Sequence, residues 1–356
     1  MKLNKLYLRP FNFVSKDIGR LLKKKKLALS IKSADRYFTH LEILHRDLSS
    51  KNEILDVTQI EEKIFTNKIL KNYLENITLS NEFKINNKLV FKKKKFLIFG
   101  ILNLTPDSFS DGGEFNSTDL GYKQAIKMND LGADVIDVGG ESTRPGAKKV
   151  SADKEILRIL PVVQKLIKKK ISVSLDTRNS STMKFGVVSG VSILNDVSAL
   201  KNDKKSIDVL KDSNLPIILM HMPGNPKNMM DFKDKSKDIL LDIFDFLEER
   251  IKFCELNGIK KSRIIVDPGI GFGKSTIENL QIIKNISIFH SLGCPIMLGV
   301  SRKSIISKIT KSDAIQRIGG SISFALHSLN QGVQIFRVHD VLETKQAIAV
   351  WERLES

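Results

Sequence analysis

The sequence contains little cysteine. Cys254 and Cys294 are the only two in 356 residues, and neither belongs to a Cys-x-x-Cys pair. The pattern therefore indicates neither a disulfide framework nor a cysteine-ligated zinc site, and we interpret both residues as plain thiols of a reducing compartment.

Long apolar runs are also missing. No stretch approaches the roughly 20 consecutive apolar residues that a membrane-spanning helix requires. The basic N-terminal segment lacks the continuous apolar run of about 7 to 15 residues that marks a signal peptide. We therefore expect a cytoplasmic protein that does not bind a membrane.

The chain is strongly basic, with 58 Lys and Arg against 40 Asp and Glu and a net charge of +18. Most of this excess, +12, falls in residues 1–100. A region of this charge can attract nucleic acid or acidic lipid. We favour the interpretation of a solvated basic face on a Lys-rich chain, and we do not expect nucleic acid to be the main partner.

Short apolar runs alternate with amphipathic stretches from Phe96 onward, a pattern typical of βα units in a parallel sheet. The clearest helical stretch is 236–251, where six apolar residues fall on one face. The apolar runs are 96–102, 133–138, 171–175, 192–194, 216–220, 263–266, 295–300 and 334–338. Eight such units fit the size of one (β/α)8 TIM barrel. A doubly wound open sheet, the alternative, would use fewer repeats and bind ligands at one switch point.

Residues 1–80 differ from the rest because they carry mixed helical patterns and no chemical motif. Residues 82–91 alternate around Asn86-Asn87, a two-residue turn signal that predicts a β-hairpin. The sequence therefore predicts an α/β protein with two parts. An N-terminal α+β extension of unknown role covers 1–94 and ends in the hairpin, and a (β/α)8 barrel covers 95–356.

Polar residues follow every predicted strand, at the end of the barrel where active sites of this fold lie. One Ser, Asp or Asn at such a place is often only a helix cap or turn former. Eight together indicate a site. In chain order the strands lead into Asn103, 139–146, Asp176, Asn195-Asp196, His221-Met222, Asp267, 301–304 and 337–340.

The carboxylates in this ring suit a nitrogen heterocycle. Asp176 or Asp267 can accept paired charge-assisted hydrogen bonds from a ring amidine, such as the N–C–N edge of a 2-aminopteridine. Asn195 can donate and accept beside them.

The cations suit oxygen anions. Lys303 and Arg337, with His339, supply positive charge for a carbonyl oxygen and for phosphate oxygens. The segment 105–115 is rich in small residues and long, which is typical of a mobile lid.

Two familiar motifs are absent. GIGFGKS (269–275) resembles a phosphate-binding P-loop, but the motif needs glycine where Pro268 stands. No G-x-G-x-x-G opens a helix after the first barrel strand either, so ATP and NAD are poorly supported. His221 is as easily a structural strand-end histidine as a ligand contact, with no second metal-type residue at the required spacing.

Eight strings resemble those of dihydropteroate synthases in order and spacing, from about Lys95 to the C terminus. They are GILNLTPDSFSDGG (100–113), DVGGESTRPGA (137–147), SLDT (174–177), ILND (193–196), MHMPGNP (220–226), DPGIGFGK (267–274), GVSRKS (299–304) and RVHD (337–340). The resemblance implies a (β/α)8 fold, a homodimer and Mg²⁺. It also implies condensation of 6-hydroxymethyl-7,8-dihydropterin diphosphate with p-aminobenzoate.

The resemblance also assigns roles to individual residues. Asp176, Asn195, Asp267 and Lys303 would hold the pterin ring. Thr143, Arg337 and His339 would contact the diphosphate directly, and Asn103 would contact it through magnesium. Thr143, Arg144, Pro145, Phe272 and Ser304 would shape the p-aminobenzoate pocket, and Met222 and Val338 complete the substrate-binding set. The catalytic set would be Asp176, Lys303, Arg337 and His339.

Two rival functions stay open on the sequence. A methyltetrahydrofolate-dependent corrinoid methyltransferase shares the barrel and the pterin carboxylates, but it has no need of the diphosphate clamp that ESTRPG and RVHD indicate. A polyanion-binding role of residues 1–95 predicts steeply salt-dependent binding.

Overall fold

An antiparallel sheet with flanking helices forms the N-terminal part of the chain. The computed structural model describes residues 5–47, 50–79, 82–86, 88–91, 95–105, 113–144, 146–147 and 149–355, without the side chains of 61, 62 and 113–117. The first elements are β1 (Leu6–Val14), α1 (Lys16–Lys24), β2 (Leu29–Ile31), β3 (Arg36–His45), β4 (Glu53–Asp56), α2 (Ile60–Lys63) and α3 (Lys68–Thr78). Strand β3 is central and pairs with β1 on one edge and with β2 and β4 on the other. We call these elements the N-terminal module.

A short hairpin of β5 (Lys84–Ile85) and β6 (Lys88–Leu89) follows, where the alternating pattern predicts one. Asn86 takes a left-handed φ of +50°, as a tight hairpin turn requires, and Asn87 lies outside the described residues. Apolar side chains of this segment close the N-terminal mouth of the barrel. The cluster consists of Phe83, Ile85 and Phe91 with Leu97, Phe99, Val135, Ile193, Ile218, Ile265, Met297 and Ile335.

Eight parallel strands then form the barrel, one at each predicted apolar run. They are β7 (Leu97–Asn103), β8 (Val135–Gly139), β9 (Val173–Asp176), β10 (Ile193–Asp196), β11 (Ile217–Met220), β12 (Ile264–Asp267), β13 (Met297–Leu298) and β14 (Ile335–Val338). Their order is β12-β11-β10-β9-β8-β7-β14-β13, and a parallel bridge between Val266 and Ile296 joins the two outer strands. The (β/α)8 prediction is confirmed, and the open doubly wound sheet is excluded because this sheet closes on itself.

Helices cover the outside of the barrel. They are α4 (Gly113–Asp130), α5 (Ala152–Lys168), α6 (Ser180–Ser189), α7 (Ser206–Asp212), α8 (Ile239–Leu256), α9 (Thr276–Lys284), α10 (Ser304–Thr310), α11 (Ile318–Asn330) and α12 (Val341–Leu354), with 3-10 turns at Met229–Phe232, Lys261–Arg263, Ile286–Leu292 and Ala314–Arg317. Helix α8 begins three residues later than the pattern predicts. The Asp238 carboxylate caps it there by accepting hydrogen bonds from the amides of Leu240 and Leu241.

The N-terminal module packs against α8 and the 286–292 turn through ion pairs and buried hydrogen bonds. The Lys5 ammonium lies 2.6 Å from Asp245, and the Tyr7 hydroxyl donates to the same carboxylate at 2.9 Å. Ser287 and Ser291 of the turn donate to backbone carbonyls of β1. The module thus lies against the outside of the barrel.

None of the helices in the described ranges has an apolar stretch long enough to cross a bilayer.

Candidate active site

A guanidinium held between two carboxylates lies at the centre of the polar ring. Arg337, on β14, donates through Nε to Asp137 at 2.6 Å and through Nη2 to Asp176 at 2.8 Å. Asn195 donates to both oxygens of Asp137 at 3.3 Å. Parallel register brings these residues together, because Asp176 is paired with Gly139 on one side and with Asn195 on the other.

The electrostatics of this group follow from burial and from an excess of carboxylates. Burial raises the pKa of Asp176 to about 7; Arg337 opposes the rise, and neighbouring carboxylates, first Asp137, add to it. Burial alone would lower the pKa of Arg337, but Asp137 and Asp176 outweigh it and raise that pKa. The guanidinium is therefore charged at every physiological pH, whereas Asp176 exchanges its proton near neutrality.

Two further charged side chains, Lys303 and Asp267, lie close enough to shift each other's pKa. The Lys303 ammonium donates to the carbonyl of Ile270 and lies 4.6 Å from the centre of the Phe272 ring. Burial lowers the pKa of Lys303 to about 8, with Asp267 opposing the shift. Burial also raises the pKa of Asp267, with Lys303 the main opposing charge. One Asp267 oxygen accepts the Gly269 amide at 2.7 Å.

The loop 269–273 follows β12 and packs tightly against the segment 221–229, which follows β11. Gly269 has a φ of +69°, and a Cβ there would lie 2.0 Å from the carbonyl oxygen of His221. Gly273, at φ +61°, would place a Cβ 2.5 Å from the carbonyl of Met229. Only glycine fits either position. Lys274, the lysine of the P-loop look-alike, donates to three backbone carbonyls around this loop.

His339 is neutral at physiological pH in the protein alone, contrary to the positive charge that the sequence analysis assigned to it. Burial, together with the nearby charges of Arg337 and Arg302, lowers its pKa to about 4. Its Nδ1 lies 3.0 Å from the Ser301 hydroxyl, which also accepts the His339 amide at 3.1 Å. A partly buried imidazole with two guanidinium groups nearby cannot readily take up a proton until an anion arrives.

The loop after β8 is anchored by a two-point ion pair. Glu141 accepts from Nε and Nη2 of Arg178, both at 2.9 Å, and from the amide of Val150 at 3.0 Å. Beyond this anchor Thr143 is half-buried and Arg144 is exposed. Pro145 lies outside the described residues.

Other predicted site residues occupy the rim and walls. Asn103 ends β7 and pairs with Gly139, while Ser304 begins α10. Met222 and Val338 are buried. Of the predicted lid at 105–115, residues 106–112 lie outside the described part of the chain, and 113–115 already belong to α4.

Sequence reasoning missed Asp137 as a site residue. Its side chain is completely buried and links Arg337 to Asn195. A signal was available, since Asp137 interrupts the apolar run 133–138, and a carboxylate inside such a run needs a buried partner.

The fold and this site define a barrel enzyme of the pterin-binding class. The family model described as "Pterin binding enzyme" matches residues 99–339. The dihydropteroate synthase of Escherichia coli K12 is 40% identical over 256 residues, covering 72% of this chain and 90% of that protein.

Solved structures agree with this assignment. Xanthomonas albilineans dihydropteroate synthase with 4-aminobenzoic acid has a TM-score of 0.72 and 35% identity, covering 78% of this chain and 99% of that one. A Yersinia pestis dihydropteroate synthase in a sulfonamide complex has a TM-score of 0.71 and 36% identity, covering 76% and 98%. The chain therefore belongs to the dihydropteroate synthase family.

Proposed function

We propose that the chain condenses 6-hydroxymethyl-7,8-dihydropterin diphosphate with p-aminobenzoate to give 7,8-dihydropteroate and diphosphate. The observation that carries this proposal is the pair of carboxylate–cation groups at one mouth of the barrel, Asp176 with Arg337 and Asp267 with Lys303. Carboxylates suit the N–H groups of a pterin, and the cations suit its carbonyl and the diphosphate. The 4-aminobenzoic acid and sulfonamide bound in related structures support the second substrate.

In our proposal the pterin ring binds between Asp176, Asn195, Asp267 and Lys303. Arg337 contacts Oδ2 of Asp176, and no donor among the described residues reaches Oδ1, which leaves that oxygen for a ring N–H. Lys303, whose ammonium already meets the Ile270 carbonyl, has donors left for the pterin carbonyl.

The proposed reaction is dissociative. The bond between the pterin methylene carbon and the diphosphate oxygen breaks, and its electron pair leaves with the diphosphate. The arylamine nitrogen then forms the new C–N bond and loses a proton to solvent. An ionised Asp176 stabilises the positive charge that spreads into the ring, and Arg337 stabilises the departing anion, with His339 and Thr143 as further donors.

The p-aminobenzoate pocket is proposed at Thr143, Arg144, Pro145, Phe272 and Ser304. Phe272 is half-buried and packs against Met222 and neighbouring apolar side chains, so its ring presents a fixed apolar wall. An aromatic substrate gains from such a wall. Val338, buried at the end of β14, extends the apolar lining.

Magnesium is proposed as the metal, with Asn103 as its protein ligand. No cluster of three or more His, Cys, Asp or Glu side chains in the described ranges could hold a metal ion by itself. A single carboxamide oxygen at the rim instead fits Mg²⁺, which often takes one or two protein oxygens and completes its shell with phosphate and water. When bound, the ion would neutralise charge on the diphosphate oxygens.

A homodimer is also proposed. Its support is a set of large apolar side chains that the barrel helices leave exposed, including Ile277 on α9 and Val350 and Leu354 on α12. Contact with a second subunit would bury such side chains. Sedimentation velocity at micromolar concentration tests this, and a single monomeric species would contradict it.

The decisive test of the reaction uses purified protein, the pterin diphosphate, labelled p-aminobenzoate and magnesium. We expect labelled dihydropteroate from the wild type, a loss of about a hundredfold or more in Lys303→Met, and no change in the exposed control Lys308→Met. A wild-type protein that binds pterin yet makes no product would refute the synthase and direct attention to methyl transfer.

A further inference from the structure

One buried ammonium has no role in the reaction proposed above. Lys274 is only 5% exposed, and its Nζ donates to the carbonyls of Gly269 at 2.7 Å, Phe272 at 2.9 Å and His221 at 3.3 Å. All three acceptors are backbone oxygens. A lysine ammonium carries three N–H donors, so these bonds satisfy it completely.

We propose that Lys274 is a positioning residue, an internal hydrogen-bond donor that fixes the loop 269–273 in the shape that presents Phe272 and the Ile270 carbonyl to the substrate site. The inference rests on the proposed function, because that function places p-aminobenzoate against Phe272. The inference adds to the proposed function a residue that acts on the substrate only through other residues.

The loop needs a hydrogen-bond donor at its centre because its backbone carbonyls point toward one another. Three glycines in five residues, Gly269, Gly271 and Gly273, all take positive φ, and this curls the backbone so that carbonyl oxygens point inward around one spot. Converging carbonyl dipoles repel one another unless a cation or several donors lie between them. A methionine or alanine at 274 offers no donor, and a buried carbonyl without a partner is costly.

A second tie supports the loop from helix α9. The Asn279 side chain accepts the Gly271 amide at 2.7 Å and donates to the Lys274 carbonyl at 3.2 Å. This tie holds the outer edge of the loop, whereas Lys274 holds its inner carbonyls. Loss of the ammonium should therefore loosen the inner side, which includes Phe272, without unfolding the helix.

The loop connects Lys274 to the second site lysine. The Ile270 carbonyl accepts from Lys303, and the Phe272 ring lies beneath the same ammonium. Asp176, Asn195 and Arg337 stand on β9, β10 and β14, and the side-chain hydrogen bonds that join them to one another and to Asp137 do not involve the loop. The loop also contacts the pterin side, where the Gly269 amide donates to Asp267 and the Ile270 carbonyl accepts from Lys303. A change at Lys274 should therefore affect p-aminobenzoate, which lies against Phe272, more strongly than the pterin.

The test compares Lys274→Ala with Lys284→Ala, a matched change at the exposed end of α9. We expect the KM for p-aminobenzoate to rise about tenfold or more in Lys274→Ala, and the KM for pterin diphosphate to rise by a clearly smaller factor. Propylammonium, which replaces the removed Cγ to Nζ, should lower the raised KM in Lys274→Ala only. An unchanged p-aminobenzoate KM, or an equal rise in both KM values, would overturn the proposal.

A crystal structure of Lys274→Ala separates this inference from the reaction itself. We expect the Phe272 ring and the Ile270 carbonyl to move away from Lys303, and an unmoved loop would refute the inference even in an active enzyme. An inactive wild type would refute the synthase but leave this structural comparison decisive. If Lys274→Ala does not fold, Lys274→Gln, with two donors in place of three, is tested in the same way.

Discussion

Replacing Asp137 with asparagine removes one negative charge from the centre of the site and keeps the shape of the side chain. Burial is the main cause of the raised pKa of Asp176, about 7, and the charge on Asp137 adds to it. The carboxamide oxygen of the introduced asparagine could still accept from Asn195 and from Arg337. The substitution should therefore lower the pKa of Asp176 without dismantling the group.

The size of the shift follows from the geometry. Two carboxylates that share one guanidinium lie on the order of 5 Å apart, and unit charges at that distance interact by about 3 kcal/mol at an effective dielectric constant of about 20. Since one pKa unit corresponds to about 1.4 kcal/mol, the full effect is about 2 units, and partial screening makes a fall of about 1 to 2 units the expectation.

The assay is the pH dependence of kcat/KM for the pterin diphosphate, which reports groups of the free enzyme. In the wild type, activity should rise as pH passes 7, where Asp176 becomes ionised, and fall as pH passes 8, where Lys303 loses its proton. Asp137→Asn should move only the acidic limb, toward lower pH. An acidic limb that stays in place or moves upward would refute the reasoning, and the exposed Asp208→Asn serves as the control.

Three further predictions concern other parts of the molecule. Phe83→Ala leaves a cavity in the apolar cluster at the N-terminal mouth, so it should lower the free energy of unfolding by about 3 to 5 kcal/mol in urea titrations. Phe65 is 49% exposed, and Phe65→Ala should change this free energy by less than about 1 kcal/mol. Equal effects of the two substitutions would contradict the role of this cluster in stability. Asn103→Ala should raise the magnesium concentration for half-maximal activity about tenfold or more, and an unchanged requirement would remove Asn103 from the metal site. Sulfonamides should inhibit competitively against p-aminobenzoate, and Phe272→Ala should weaken both ligands; full activity at a large excess of drug would refute the shared pocket.

Much of the barrel could be predicted from the sequence because burial on both faces leaves a local signature. Each parallel strand is a short apolar run, and the eight runs mark the eight strands. The polar residues that end the strands could likewise be placed at one mouth, since parallel strands share one direction. The position of Asp137 could not identify it as a site residue, because it lies inside an apolar run and not at a strand end. Its partner Arg337 is on β14, which is far away in the sequence.

Charge states were also beyond the sequence. The residue type suggests a cationic His339, but burial between two arginines makes it neutral at physiological pH. The role of Lys274 could not be predicted either. The sequence around it resembles a phosphate-binding loop, but its side chain donates hydrogen bonds to backbone carbonyls. Such properties arise from neighbours that are distant in sequence.

The N-terminal module uses some of its basic groups to bind the barrel. Its positive charge invites a polyanion partner, yet several of its basic groups are already engaged with the barrel. Lys5 and Arg46 pair with carboxylates of α8, and Arg36 pairs with Glu355. The apolar faces of β1 and α3 are buried in the common core. The module is thus an integral part of the folded chain.

The most direct test of the whole account is a crystal structure of the protein grown with 7,8-dihydropteroate. We expect the pterin ring to lie between Asp176, Asn195, Asp267 and Lys303, with the aminobenzoate portion against Phe272. A product molecule bound at another place, or a pterin ring that leaves Asp176 and Asp267 untouched, would contradict the proposed site.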